Sequence, residues 1–226
     1  MIKTKKNGEL IIISGTTCAG KGTVISKLLN ESNDLCLATS YTSRPIRPKE
    51  VDGVDYYFVS REEFERKIKN DDFLEYACVR YGEYFGTPKK EVIDLLNSGK
   101  DVILEIDVQG AQLIKEKFPN TLLIFILAPS MEEVKKRILN RKTETQEQII
   151  DRFKTAYKEI NEVNKYNYVV INDDIDTCVE KVKSIIISSK CRVDRIEELS
   201  VENEEEFMHE LLMDKDFINL SIDYGE

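Results

Sequence analysis

The sequence turns on one abrupt change of character. Leu10-Ile11-Ile12-Ile13 is a run of branched apolar residues that breaks into Gly15-Thr16-Thr17-Cys18-Ala19-Gly20-Lys21-Gly22-Thr23, and a helical pattern then carries on to Leu29. A buried strand that stops at glycines lets the backbone aim several N–H groups at one anion, with no Cβ in the way. A helix starting at that point adds the positive end of its dipole. Lys21 supplies a flexible point charge able to follow a phosphate from one partner to another. The plainer alternative is a glycine-rich turn with a surface lysine. It leaves unexplained why the loop spacing, the strand before it and the helix after it all agree.

Composition limits what such a loop can serve. With 226 residues and 41% hydrophobic content, the chain can bury one full core with small inserts. No stretch reaches the length of a membrane span, and Met1-Ile2-Lys3-Thr4-Lys5-Lys6 has no apolar segment behind it, so a cytoplasmic protein without membrane partners is expected. The five cysteines (Cys18, Cys36, Cys78, Cys178, Cys191) are scattered and form no CxxC pair, which argues against a disulfide scaffold or a zinc site. The net charge of −9 has an address: residues 192–226 hold twelve acids and three bases, and residues 1–191 balance at 30 of each sign. A neutral body with no basic stripe excludes nucleic acid as a broad partner. His209, the only histidine, falls in the acidic tail, which favours chemistry run by positioning and charge over a histidine base.

Residues 40–48, Ser-Tyr-Thr-Ser-Arg-Pro-Ile-Arg-Pro, cannot be helical and read as an exposed loop. Arg44 and Arg47 on it could turn two guanidinium forks toward one phosphate, although two loop arginines are more commonly solvated surface. Residues 54–59 read as a strand of a small antiparallel sheet, and Ser60-Arg61-Glu62-Glu63 as a capping box. Residues 73–77 form a short strand with one carboxylate, Glu75, and Thr87-Pro88 a helix start. These strands are too short and polar for a buried parallel sheet, so residues 39–97 look like an insert over the core. Core character returns in 101–107, a strand ending in acids at the edge where ligands sit in open α/β sheets, and again in 121–127 and 168–171. Between the last two, capping signals at Ser130 and Thr145 open helices carrying Arg137, Arg141 and Arg152, either a mobile cover or an ordinary charged surface. The tail shows one amphipathic pattern around Phe207, Leu211 and Leu212, which suits docking on the body, pairing between subunits or with a protein partner, or a partly loose segment.

Seven motifs in order resemble the guanylate kinase family: residues 15–23, Ser40 to Arg47, Asp52-Gly53-Val54-Asp55-Tyr56, Phe73-Leu74-Glu75, Gly86-Thr87, residues 104–110, and Asn172-Asp173-Asp174. The resemblance implies a P-loop α/β fold, a three-layer parallel sheet with an inserted small α+β domain for a nucleoside monophosphate and a helical lid. It divides the chain into a core (1–38, 98–130, 156–190), the GMP-binding insert (39–97), the lid (131–155) and the acidic extension (191–226). It implies that Gly15, Thr16, Thr17, Cys18, Ala19, Gly20, Lys21, Gly22 and Thr23 bind ATP, with Asn172 near the adenine. Arg44, Arg47 and Tyr56 would grip the acceptor phosphate, and Glu75, Glu105, Ser40 and Thr87 would read guanine. Lys21, Arg44, Arg137, Arg141 and Arg152 would be the catalytic set. Asp107 would help place Mg²⁺ through water. The implied reaction is γ-phosphoryl transfer from ATP to GMP or dGMP.

Four departures from the family pattern stand out: Gly22 where many phosphate loops carry a metal-binding hydroxyl, Cys18 in place of a usual glycine, Phe85 in place of a second phosphate-binding tyrosine, and one extra residue between Glu75 and Gly86. A tyrosine hydroxyl missing at Phe85 would have to come from Tyr81 or Tyr84. Two other readings share the same motifs. A binding module that keeps this fold without catalysis typically loses the loop lysine and lid arginines, which are present here. A phosphate-loop kinase for another nucleotide is distinguished by Glu75 and Glu105.

Overall fold

The computed structural model describes residues 2–5, 8–48, 50–78, 82–140, 146–193, 198–201, 209 and 212–213. In chain order the elements are β1 (Ile2–Lys5), β2 (Leu10–Gly15), α1 (Lys21–Glu31), β3 (Leu35–Leu37), β4 (Tyr41–Thr42), β5 (Tyr57–Phe58), α2 (Arg61–Lys69) and β6 (Phe73–Cys78). There follow β7 (Tyr84–Pro88), α3 (Lys89–Asn97), β8 (Asp101–Leu104), α4 (Val108–Lys117), β9 (Leu122–Leu127), α5 (Met131–Asn140), α6 (Gln146–Ile160), β10 (Tyr168–Ile171), α7 (Ile175–Ser189) and β11 (Glu198–Val201). The chain divides into a body, residues 7–191, and a second unit made of residues 1–6 with 192–226. In the second unit, β1 and β11 pair antiparallel, Ile2 opposite Val201.

The body is built on a five-stranded parallel sheet in the order β10-β9-β2-β8-β3. All six residues of β2 are buried, as expected of a strand covered on both faces. Alternate side chains supply the two faces. Ile11, Ile13, Ile103, Ile124 and Ile126 pack with Val24 and Leu28 of α1 and Val179 and Val182 of α7. Leu10, Ile12, Val102, Leu104 and Leu123 pack with Val92 of α3 and Ala111 and Ile114 of α4. This is the expected three-layer arrangement, one sheet between two helical layers. At the edge where the strands start, Glu9 N–H donates to Asp101 Oδ1 at 2.9 Å, Ser189 Oγ donates to Glu9 Oε1 at 2.5 Å, and Lys190 pairs with Asp101.

A second sheet, ordered β5-β4-β7-β6, stands over the other edge. Phe64 of α2 stacks on Phe73 and Tyr84 with ring centres 4.5 and 5.1 Å apart. A Cβ on Gly86 would fall 2.9 Å from the Phe64 ring, so only glycine lets β7 run beneath it. Ser60 caps α2 by accepting the Glu63 N–H, and Ser130 does the same for Glu133 at the start of α5. Each such cap is worth about 1 kcal/mol.

Several expected boundaries move. The strand expected over 54–59 shrinks to Tyr57–Phe58, because Asp52 and Asp55 accept backbone N–H groups of Phe58 and Val51 and fold the preceding residues into a turn. The small sheet is mixed rather than antiparallel, since β4 and β5 run parallel. The strand expected to reach Asp107 stops at Leu104, where Asp107 turns to cap α4 by accepting the Gly110 N–H at 2.8 Å. Thr87 starts no helix: β7 continues through Pro88 and α3 begins at Lys89. β10 is an edge strand with only Val170 buried. α6 runs unbroken across the 155/156 boundary between lid and core. The capping signal at Thr145 and most of the tail pattern lie outside the described residues.

Candidate functional site

The loop after β2 is gripped at five successive backbone positions. Lys21 Nζ donates to the carbonyls of Gly15 at 2.8 Å and Thr16 at 3.2 Å. Glu159 accepts the Thr17 N–H at 3.0 Å. Arg137 donates to the Cys18 carbonyl at 3.3 Å, and Asn172 Nδ2 to the Ala19 carbonyl at 2.7 Å. Gly20 then takes a left-handed conformation, φ +91°, where a Cβ would fall 2.5 Å from Asn172 Nδ2. The turn releases the chain into α1 with Lys21 as its first residue, placing the positive helix end under the loop. Cys18 is also left-handed, φ +62°, a conformation that carries a cost for a side chain with a Cβ.

Across from the loop, β6 and β7 place Glu75 directly opposite Thr87 in their antiparallel register. Thr87 Oγ1 donates to Glu75 Oε1 at 2.7 Å, and both residues are buried. Burial pushes the Glu75 carboxyl up to about 7, against the pull of the Thr87 hydroxyl and with some help from Asp107. A Cβ on Gly110 would come 3.0 Å from Glu75 Oε2, so the glycine lets α4 close one wall of this pocket. Glu105 stands at the rim, open to solvent on one side; the surrounding protein raises its pKa and Lys21 lowers it. A cavity of about 270 Å³ joins the two halves, lined by Gly15, Lys21, Ser40, Tyr56, Glu75, Phe85, Gly86, Glu105, Asp107 and Glu159 among others. A larger depression, about 800 Å³, lies between α2 and α3 around Lys67, Lys89 and Asp94. It touches neither the loop nor Glu75, and Lys67, Lys89 and Lys90 are paired with Asp72, Asp71 and Asp94.

The cavity thus gathers Lys21, Ser40, Tyr56, Glu75, Glu105 and Asp107 from distant parts of the chain, and Thr87 reaches it through Glu75. Other candidates sit elsewhere. Arg44 is 5% exposed, bonded to Glu50 and packed on the Tyr56 ring. Arg47 is exposed, and its backbone N–H donates to Glu50. Arg137 reaches the loop from behind, held by Glu133 at 2.9 Å. Arg152 is half-buried on α6, outside the cavity lining among the described residues. Asn172 is buried beneath the loop with its amide on Ala19. Arg141 lies outside the described residues, as does Tyr81. Tyr84 stacks on Phe64 while its neighbour Phe85 meets Tyr56 edge-on at 5.7 Å, so the two fall on opposite sides of β7 and Tyr84 brings no hydroxyl to the cavity. Glu50 and Glu159 were missed from sequence. The available signals were a lone acid closing the arginine loop and an acid seven residues after Arg152, hence on the same helix face.

A parallel sheet with a phosphate loop at the C-terminal edge of its strands, facing an inserted sheet with a carboxylate pocket, defines a P-loop nucleotide-binding protein with a second ligand pocket. Comparison with known proteins narrows this. The chain belongs to the guanylate kinase family, whose model matches residues 7–189. A guanylate kinase of Clostridium tetani is 54% identical over 209 residues, 92% of this chain and 100% of its own. One from Clostridium perfringens strain SM101 is 52% identical over 216 residues, 95% of this chain and 100% of its own. The crystal structure of guanylate kinase from Anaplasma phagocytophilum superposes with a TM-score of 0.72 at 30% identity, covering 92% of this chain and 97% of that one. Among the described residues no helix is long and apolar enough to cross a membrane.

Proposed function

We propose that this chain transfers the γ-phosphoryl group of ATP to GMP or dGMP, releasing ADP and GDP or dGDP. The observation that carries the reading is a single cavity shared by Lys21 of the phosphate loop and the buried Glu75–Thr87 pair. Guanine offers N–H donors at N1 and N2, and an ionised carboxylate only accepts. Adenine has an acceptor at N1 and no 2-amino group, so it would leave Glu75 buried and unpaired, a rejection on the order of 10⁴-fold. Glu105 and Ser40 complete the polar edge of the pocket, Tyr56 lies at its phosphate end, and Arg44 and Arg47, outside the cavity lining, would turn toward the phosphate once it is bound. Lys21 moves from the loop carbonyls onto the donor phosphates, while Arg137 and Arg152, with Arg141, neutralise the equatorial oxygens as the phosphoryl group passes. No covalent intermediate is required.

The donor set fits Mg²⁺ carried mainly by substrate. Asp107 keeps one oxygen on Gly110 and has a second oxygen to offer, Gly22 adds no hydroxyl, and no group of three or more acidic, histidine or cysteine residues forms a cage among the described residues. This ion takes oxygen ligands, retains several waters and commonly binds one carboxylate plus phosphates. Asp107 would hold it through water, and the bound ion would offset charge on the transferring phosphate.

Within this reading residues 39–97 are the acceptor domain, α5 and α6 the cover, and the cytoplasm the place of work. The cover is taken to Ile160 rather than to residue 155, because α6 is continuous to that point. The test is a coupled assay of ADP release from ATP and Mg²⁺ with GMP, dGMP, AMP, CMP and UMP, beside Lys21→Ala. Turnover restricted to guanine nucleotides and lost in the variant is expected. Equal turnover with AMP would refute the guanine assignment.

A further inference from the structure

A carboxylate is already bonded to the phosphate loop. Glu159, one residue from the end of α6, accepts the Thr17 N–H at 3.0 Å and lines the same cavity as Lys21. Arg152 stands on the same face of α6, two turns earlier. The loop is built to attract anions, through the α1 N-terminus and Lys21. A triphosphate directed there brings like charge up to the Glu159 carboxylate, and like charges in a partly enclosed site repel far more than in water. The bond from α6 to Thr17 and the donor phosphates therefore oppose each other.

We propose that Glu159 is a positioning residue for the phosphoryl transfer: its carboxylate holds α6 against the phosphate loop, and donor phosphates break that hold. The location of Arg152 then depends on what the loop carries. A neutral tether at the same place would give no such dependence, because it would keep its hydrogen bond whether or not phosphate arrived. The inference rests on reading residues 15–23 as the donor site.

The discriminating experiment compares the full-length protein with Glu159→Gln, Glu159→Asp and Glu159→Ala. Binding of inorganic tripolyphosphate and of a non-hydrolysable ATP analogue is measured by calorimetry, and KM is determined separately for ATP and GMP. The Gln variant is expected to bind tripolyphosphate about tenfold more tightly, equivalent to about 1.4 kcal/mol, with the ATP KM lowered in step and the GMP KM within twofold of the parent. Asp, which keeps the charge, should bind no more tightly than the parent. Ala, which removes charge and hydrogen bond together, carries the same expectation as Gln and serves where Gln folds poorly. Weaker donor binding in both Gln and Asp would mean a plain structural tether and overturn the proposal, as would unchanged binding in all three. If the parent binds neither tripolyphosphate nor the ATP analogue more tightly than Lys21→Ala does, the donor-site reading itself fails and takes this inference with it.

Discussion

Glu50 holds Arg44 by both terminal nitrogens, Nη1 to Oε2 and Nη2 to Oε1, each at 2.7 Å. The guanidinium lies against the Tyr56 and Phe58 rings, 5.0 and 5.3 Å from their centres. This bond holds the Glu50 carboxyl below the usual carboxylate range and raises Arg44. Glu50 also accepts the Arg47 N–H at 2.8 Å, so one carboxylate sets the shape of the whole arginine loop. The Arg44 guanidinium is thus held in one orientation by that acid.

Removing that acid should leave Arg44 buried without its counter-charge. Glu50→Ala is expected to cost about 2–4 kcal/mol in urea denaturation, in line with breaking a largely buried pair from one side, and to raise the GMP KM at least tenfold. Arg44→Lys should not restore either property, because one ammonium cannot span both carboxylate oxygens and lie flat on Tyr56. An unchanged denaturation midpoint in Glu50→Ala would show that the pair does not hold the loop.

Phe85 offers a gain of function. Its ring lines the cavity beside Tyr56, and Tyr84 is committed to the stack on Phe64. Phe85→Tyr would add a hydroxyl in reach of the acceptor phosphate, and a hydrogen bond to a charged group contributes about 1.5–3 kcal/mol. The GMP KM is expected to fall about tenfold with the ATP KM unchanged. Steady-state kinetics with GMP varied decide it, and a GMP KM that does not fall would place the acceptor phosphate away from residue 85.

Glu75 couples pH to binding and to stability with opposite signs. Guanine requires the carboxylate, so GMP affinity should be level above about pH 8 and fall by up to tenfold per pH unit below the carboxyl's value of about 7. For folding, burial lifts the carboxyl from its ordinary 4.5. Its stabilising contribution is therefore complete below 4.5 and lost as pH rises through 7. Glu75→Gln should stabilise the fold by up to about 3 kcal/mol at pH 8 and little at pH 4, while lowering kcat/KM for GMP at least 100-fold. Denaturation at the two pH values measures the first effect. A Gln variant with the parent's GMP pH profile would remove Glu75 from guanine recognition.

Cys18 occupies a left-handed position in the loop, φ +62°. Cys18→Gly relieves the clash of its Cβ but loosens the unfolded chain, leaving an expected net gain of about 0.5–1 kcal/mol. Thermal unfolding should show a higher midpoint with the ATP KM within twofold. A lower midpoint would mean that packing of the thiol against the small cluster of Val134, Ile138 and Ala156 outweighs the backbone strain.

Local chemistry explains what could be read from the sequence. The phosphate loop was legible because strand, glycines, lysine and helix lie within twenty residues and each constrains the backbone directly. The three-layer core was legible because continuous apolar strands leave no face for water. Glu159 was not, since its partner Thr17 is 142 residues away and nothing near either residue encodes the meeting. Glu50 was hidden by a related ambiguity: a loop acid beside two arginines looks the same whether it faces solvent or clamps one of them. Thr87 reads as a helix start and lies in a strand, because Thr-Pro opens helices as readily as it ends strands. The β1–β11 pairing was missed because two four-residue strands at distant points of the chain are too short for any alternation to name a partner.

The cluster of Glu9, Asp101, Ser189 and Lys190 gives the body a seam. The first strand and the last helix of residues 7–191 are fastened side by side at the edge where the strands begin. Six residues of β2, about 20 Å of strand, separate that seam from the phosphate loop. The body is thus close to a ring, with its two chain ends adjacent and remote from the chemistry. Joining Gly8 to Cys191 by a short bridge and opening the ring elsewhere would produce a circular permutant with its catalytic edge untouched.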